Sequence, residues 1–202
     1  MLKAEHMGAI VFRDLVWHFL GKENELFLTF DDGPEPEITP WVLSELKKFN
    51  AKATFFCVGN KVEKNPDLYN QILDEGHSVG NHTYSHIKGW ATASKNYISD
   101  VEKAKEFIKS ELFRPPYGRV RPHQLKQLKK DFKIIMWDVL SKDYDQKTTN
   151  EQCFKNVTEY AESGSIIVFH DNQKAQNNLY STLPRVLEHY TEKGFIFNSI
   201  SF

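Results

Sequence analysis

Short apolar runs alternate with longer amphipathic stretches along nearly the whole chain, and this alternation limits the possible folds more than any other feature. The short runs are LFLTF (26–30), ATFFCV (53–58), HSVG (77–80), LFRP (112–115), KIIMWD (133–138), SIIVF (165–169) and FIFNSI (195–200). Most are β-branched or aromatic, and Gly, Pro, Asn or Asp bound them, as expected of buried strands. The stretches between them have helical spacing. In ITPWVLSELKKF, Val42, Leu43, Leu46 and Phe49 fall on one stripe, with Thr39 as the expected N-cap and Pro40 at the first helical position. Pro66 opens a second helix that Gly76 stops, and Ile98, Val101, Phe107 and Ile108 line a third over 95–112. Further helices are expected over 123–130, 150–162 and 183–193. Strand and helix alternating in this way imply a parallel sheet with helices outside it. At 202 residues, that is either an open doubly wound sheet or a small, irregular β/α barrel.

Composition excludes several classes of function. Lys and Arg number 26 against 27 Asp and Glu, a net charge of −1, which lacks the basic footprint of a nucleic-acid-binding protein. Cys57 and Cys153 are too few for a disulfide scaffold, and Cys57 lies in an apolar run where a buried, inert thiol is expected. No stretch approaches the roughly 18 apolar residues needed to span a bilayer. The apolar N-terminal patch GAIVFRDLVWHFL is interrupted by Arg13, Asp14 and His18 and lacks a small-residue cleavage site, so it does not read as a signal peptide. The expectation is a cytoplasmic protein, or an exported one if an N-terminal signal has been removed.

In either architecture the catalytic groups gather beyond the carboxyl ends of the strands. Asp31 and Asp32 follow the first strand, and His82 and His86 the third. Arg114 and Tyr117 follow the fourth, Trp137 and Asp138 close the fifth, and His170 and Asp171 follow the sixth. His82 and His86 are four residues apart, so one helical turn or a tight loop can turn both rings toward one ion. Asp32 is the natural third ligand, giving a His2Asp set with room for water and substrate, an open arrangement of the kind found at catalytic zinc. Its neighbour Asp31 is then placed to take a proton from a water acidified by the metal.

In this order TFDDGP, NHTYSH, RPPYG, the WD segment and SIIVFHD resemble the five motifs of the NodB-type polysaccharide deacetylases. The resemblance covers the chain from about Leu26 to its last strand. It implies a distorted (β/α)7 barrel over residues 26–202, with 1–25 as an N-terminal extension packed on it, and metal-dependent removal of acetyl groups from acetylated oligo- or polysaccharide, commonly N-acetylglucosamine units. By matching positions, Asp31 is the general base and Arg114 the arginine that pairs with it. Asp32, His82 and His86 hold one divalent metal, with zinc expected first and cobalt, manganese or iron also suited to the donors. The Tyr117 main-chain N–H helps stabilise the oxyanion, and His170 is the general acid. Trp137 and Val168 wall the pocket for the acetyl methyl group, although both positions also suit core packing.

The fourth motif departs from the family. Where D-S-x-D-W is usual, this chain has Leu140-Ser141-Lys142-Asp143-Tyr144, so the Asp that normally tunes the catalytic histidine is replaced by Leu140. Val168 also replaces the usual Leu. Period-2 geometry makes Asp138 the expected substitute partner of His170, with Asp143 a looser alternative in the following loop. Two other readings fit the chain: an amidohydrolase of the same fold acting on a small non-sugar amide or imide, and a catalytically silent sugar-binding relic.

Overall fold

The structure is a computed structural model that describes residues 15–202. Nine strands form one curled parallel system: β1 (Leu15–Val16), β2 (Glu25–Asp31), β3 (Ala53–Cys57), β4 (Ser78–Asn81), β5 (Leu112–Phe113), β6 (Lys133–Ile135), β7 (Val139–Leu140), β8 (Ile166–His170) and β9 (Ile196–Phe197). Their order is β1-β6-β5-β4-β3-β2-β8-β7, with β9 paired to the start of β2. The expected strands are all present, most of them shorter than their apolar runs. β1 and β7, two residues each, are additional to the expected strands, β1 lying within the apolar N-terminal patch. Residues 1–14 of the expected N-terminal extension lie outside the described residues, and Leu15–Val16 is a strand at the sheet edge, parallel to β6.

Strand alternation separates two faces. Leu26, Leu28 and Phe30 of β2, Ala53, Phe55 and Cys57 of β3, and Ile167 and Phe169 of β8 pack outward into the main core beneath the helices. Phe27, Phe56 and Ile166 point to the opposite, inner face, where they join Leu112, Ile135 and Ile200. The sequence of β2 therefore places Thr29 and Asp31 on the inner face, and that of β8 places Val168 and His170 there. The rim chemistry follows from this alternation.

Among the described residues, seven α-helices flank the sheet: α1 (Ile38–Lys48), α2 (Gly59–Lys64), α3 (Pro66–Asp74), α4 (Ser94–Ala104), α5 (Pro122–Leu128), α6 (Asn150–Thr158) and α7 (Gln176–Glu192). α3 begins at Pro66 as its missing N–H permits. Thr39 does not cap α1, which is entered through Glu37 without a side-chain cap; Thr39 lies inside the helix and is used elsewhere. α4 ends at Ala104 rather than continuing to 112. α7 begins seven residues before the expected start and carries Pro184 within it.

The curl is completed where the chain passes from β1 toward β8. His18 pairs antiparallel with Ser165, and the Phe19 N–H donates to the Gly164 carbonyl at 2.9 Å. Asp138 fastens this seam. It pairs with His18 at 2.8 Å and accepts hydrogen bonds from the Ser165 hydroxyl at 2.8 Å and the Ile166 N–H at 2.7 Å.

Candidate active site

Asp31 and His170 end adjacent strands and are register partners in the β2–β8 pairing. Behind Asp31 the Arg114 guanidinium is fully buried. Its Nη1 donates to Asp31 Oδ1 and to the Thr29 hydroxyl, both at 2.7 Å. Its Nε reaches the Ile135 carbonyl at 3.2 Å, and Nη2 the Met136 carbonyl at 2.8 Å. The guanidinium lies 4.1 Å from the centre of the Phe56 ring. Every side of this buried cation is occupied, and its charge is spent on Asp31. Thr29 belongs to the site although the sequence reading passed it over; a polar residue at an inward position between Phe27 and Asp31 was the available signal.

The next residue, Asp32, has φ +83°, so the chain turns at once, and its carboxylate meets His82, His86 and Asn172 rather than Arg114. Gly33 allows this turn: a Cβ there would overlap the carboxylate of Asp171, which accepts the Gly33 N–H at 2.9 Å and the Thr39 hydroxyl at 2.6 Å. Asp171 is wholly buried, and burial pushes its pKa up to about 7 against the hydrogen bond from Thr39. Asn172 steadies Asp32 by donating to Oδ2 at 2.7 Å.

His82 and His86 approach the other oxygen of Asp32, at 3.5 Å and 2.9 Å from Oδ1, both through Nε2. They reach it from a tight loop rather than a helical turn, with Thr83 and His86 both at positive φ. His82 Nδ1 lies 2.7 Å from the Arg114 carbonyl, which can only accept, so Nδ1 carries the proton. In the neutral ring Nε2 then presents a lone pair toward a carboxylate oxygen, an arrangement that calls for a cation between them. The ligand atoms of Asp32, His82 and His86 all lie within 4.8 Å of one another, so the residues fit a metal ion.

His170 is charged from behind by Asp143, not by Asp138. Asp143 Oδ1 is 2.8 Å from His170 Nδ1, and its Oδ2 accepts the His170 backbone N–H at 2.7 Å. Burial acts to lower the pKa of His170, but the Asp143 charge and hydrogen bond outweigh it and raise it to about 9. The expectation for Asp138 assumed one strand running through positions 138 and 140. Instead β6 stops at Ile135 and β7 starts afresh at Val139. Lys142, at φ +59°, then turns the chain so that Asp143 faces His170 while Asp138 stays in the seam. Tyr144 packs edge-on to the His170 ring, 4.9 Å between centres.

Tyr117 sits at φ +61° in the turn after β5, its ring 4.9 Å from that of His86 and its hydroxyl 3.4 Å from His86 Nδ1. The next residue, Gly118, is also left-handed, and a Cβ on it would press on the Trp137 ring. Trp137 therefore flanks the turn that carries Tyr117. Val168 is buried on the same face of β8 as His170.

The sequence pattern of the family described as polysaccharide deacetylase matches residues 21–134. A peptidoglycan-N-acetylglucosamine deacetylase of Bacillus cereus is 31% identical over 194 residues, covering 93% of this chain and 91% of that protein. The chain belongs to the polysaccharide deacetylase family. A chitooligosaccharide deacetylase of Azorhizobium caulinodans is 32% identical over 157 residues, 74% of each chain. The solved structure of the Bc1960 peptidoglycan N-acetylglucosamine deacetylase superposes with a TM-score of 0.83 at 31% identity, over 93% of this chain and 91% of that one. Family membership makes this protein a carbohydrate deacetylase, and the curled parallel barrel is the fold of its relatives. Among the described residues no helix is long and apolar enough to cross a membrane.

Proposed function

We propose that this deacetylase hydrolyses the acetamido group of N-acetylated carbohydrate, in glycans that contain N-acetylglucosamine, with one divalent ion held by Asp32, His82 and His86. One observation carries the reading: a carboxylate held by a buried arginine and a histidine charged by a buried aspartate stand side by side at the ends of neighbouring strands, beside three residues fit to bind a metal. A divalent ion there supplies a Lewis acid for the acetyl carbonyl and acidifies water. Zinc suits two imidazoles and a carboxylate with an open position, and cobalt, manganese or iron can use the same donors.

Asp31 takes the proton of the attacking water, and Arg114 keeps it ionised and oriented for that task. The Tyr117 N–H assists the developing oxyanion. His170 enters protonated and delivers its proton to the nitrogen as the C–N bond breaks, so acetate and a free amine leave without a covalent enzyme intermediate. Trp137 and Val168 bound the space for the acetyl methyl.

Asp143 supplies the carboxylate that Leu140 cannot, so the altered fourth motif gives no support to a silent relic. The test is acetate release from chitooligosaccharides and peptidoglycan fragments by metal-reconstituted and metal-stripped protein. Release only by the reconstituted protein is expected. Hydrolysis of small non-sugar amides alone would replace this reading with the amidohydrolase.

A further inference from the structure

The two loops beside His86 carry exposed aromatic rings and cations that the proposed chemistry does not use. Lys88 and Trp90 follow His86 in the β4–α4 loop; Tyr117 and Arg119 lie in the β5–α5 loop. Trp90 is 59% and Tyr117 53% exposed. The Tyr117 ring borders His86, Lys88 Nζ lies 4.9 Å from the centre of the Tyr117 ring, and the Arg119 guanidinium lies 5.5 Å from that of Trp90. Aromatic faces and positive charges thus continue outward from the candidate metal site.

This shelf is built rather than loose. The Trp90 indole N–H donates to the Val120 carbonyl at 3.1 Å, Arg121 Nη2 to the Trp90 carbonyl at 2.5 Å, and the buried Gln124 amide to the Gly89 carbonyl at 3.0 Å. Gly89 is needed because a Cβ would collide with the Arg119 carbonyl of the facing loop. An exposed tryptophan held from behind by such contacts loses little freedom when something stacks on it. Lys88 and Arg119 form no ion pair with a carboxylate among the described residues, in a chain whose net charge is −1.

We propose that Trp90, Tyr117, Lys88 and Arg119 form a saccharide subsite next to the reacting acetyl group, and that it takes a sugar unit bearing a carboxylate. A pyranose offers apolar C–H faces to aromatic rings, which a neutral glycan would also use. The unpaired cations add a preference that only an anionic sugar satisfies, such as an amino sugar with a lactyl ether. The proposal rests on the deacetylase reading for the kind of ligand, but it is tested by binding, so the two can fail separately.

The experiment measures, by calorimetry on metal-loaded Asp31→Asn protein, the binding of three tetrasaccharides of equal length. They are chitotetraose, an N-acetylglucosaminyl–N-acetylmuramyl tetrasaccharide, and the methyl ester of the latter. The lactyl carboxylate should bind about threefold to tenfold more tightly than its ester, and added salt should reduce that advantage. Replacing both cations, Lys88→Gln with Arg119→Gln, should bring the ratio to about one. Trp90→Ala should weaken all three ligands by about fivefold to tenfold while metal content stays at the level of the parent protein, which shows that the neighbouring loop has kept its shape. Equal binding of acid and ester by the parent protein overturns the anionic preference, and undiminished binding by Trp90→Ala overturns the subsite. If Trp90→Ala weakens binding while the wild-type protein releases acetate from no glycan, the subsite stands and the deacetylase reading falls.

Discussion

Asp143 grips His170 twice, through the ring Nδ1 and through the backbone N–H, with one oxygen for each. The second bond fixes the carboxylate relative to the strand end, so the first fixes the ring. Replacing Asp143 with Asn keeps the shape but removes the charge that overcomes burial. The alkaline limb of the kcat/KM profile, expected near 9 in the wild type, should then move to 6.5 or lower. At pH 8 a histidine titrating at 6.5 is protonated only about one part in thirty, so a loss of about thirtyfold is expected there, and a smaller one at pH 6. A pH–rate profile of Asp143→Asn that superimposes on the wild type would sever this link.

The same pair makes stability depend on pH in a defined direction. The pKa of His170 is raised on folding from an ordinary 6.5 to about 9. Its contribution is therefore full below about 6.5 and disappears as the pH rises through about 9. The difference in urea midpoint between wild type and Asp143→Asn should be large at pH 6 and shrink at pH 10.

Arg114 is a more severe test of the buried face. Lysine can keep the charge but cannot reach Asp31, Thr29 and two carbonyls at once. Arg114→Lys should lose most activity, and Arg114→Met, which leaves Asp31 uncompensated, should destabilise the fold by about 3–5 kcal/mol in denaturant titrations. Wild-type turnover in Arg114→Lys would mean that Asp31 needs no such support.

His86→Ala should lose metal occupancy in elemental analysis, since it removes one of the three proposed ligands while disturbing little of the core. Asp31→Asn should keep the metal and lose turnover. Full occupancy in His86→Ala, or full rate in Asp31→Asn, would reassign the corresponding residue.

The rim was legible in the sequence because its residues stand directly beyond apolar strands, where alternation and strand direction fix their placement. What escaped depends on turns. Nothing in WDVLSKDY marks a strand ending at Ile135 and another starting at Val139, and Lys142 in a left-handed conformation is not a residue type that announces one. Thr39 resembles a cap because caps and buried tethers use the same hydroxyl, and only tertiary structure shows that Asp171 receives it. The helix expected from 183 begins instead at Gln176 and runs through Pro184, carried by the buried Leu179, Leu183, Val186 and Leu187.

Asp31 and His170, the proposed acceptor and donor of the proton, are paired in register on adjacent parallel strands, so the interval between their backbones is tied to the pitch of a β-sheet, about 4.8 Å between chains. Few lengths in a protein are less adjustable, because backbone hydrogen bonds set it rather than side-chain packing. A substrate must bring its carbonyl and its nitrogen to that ruler. The loops can be rewritten for different glycans without altering that backbone spacing.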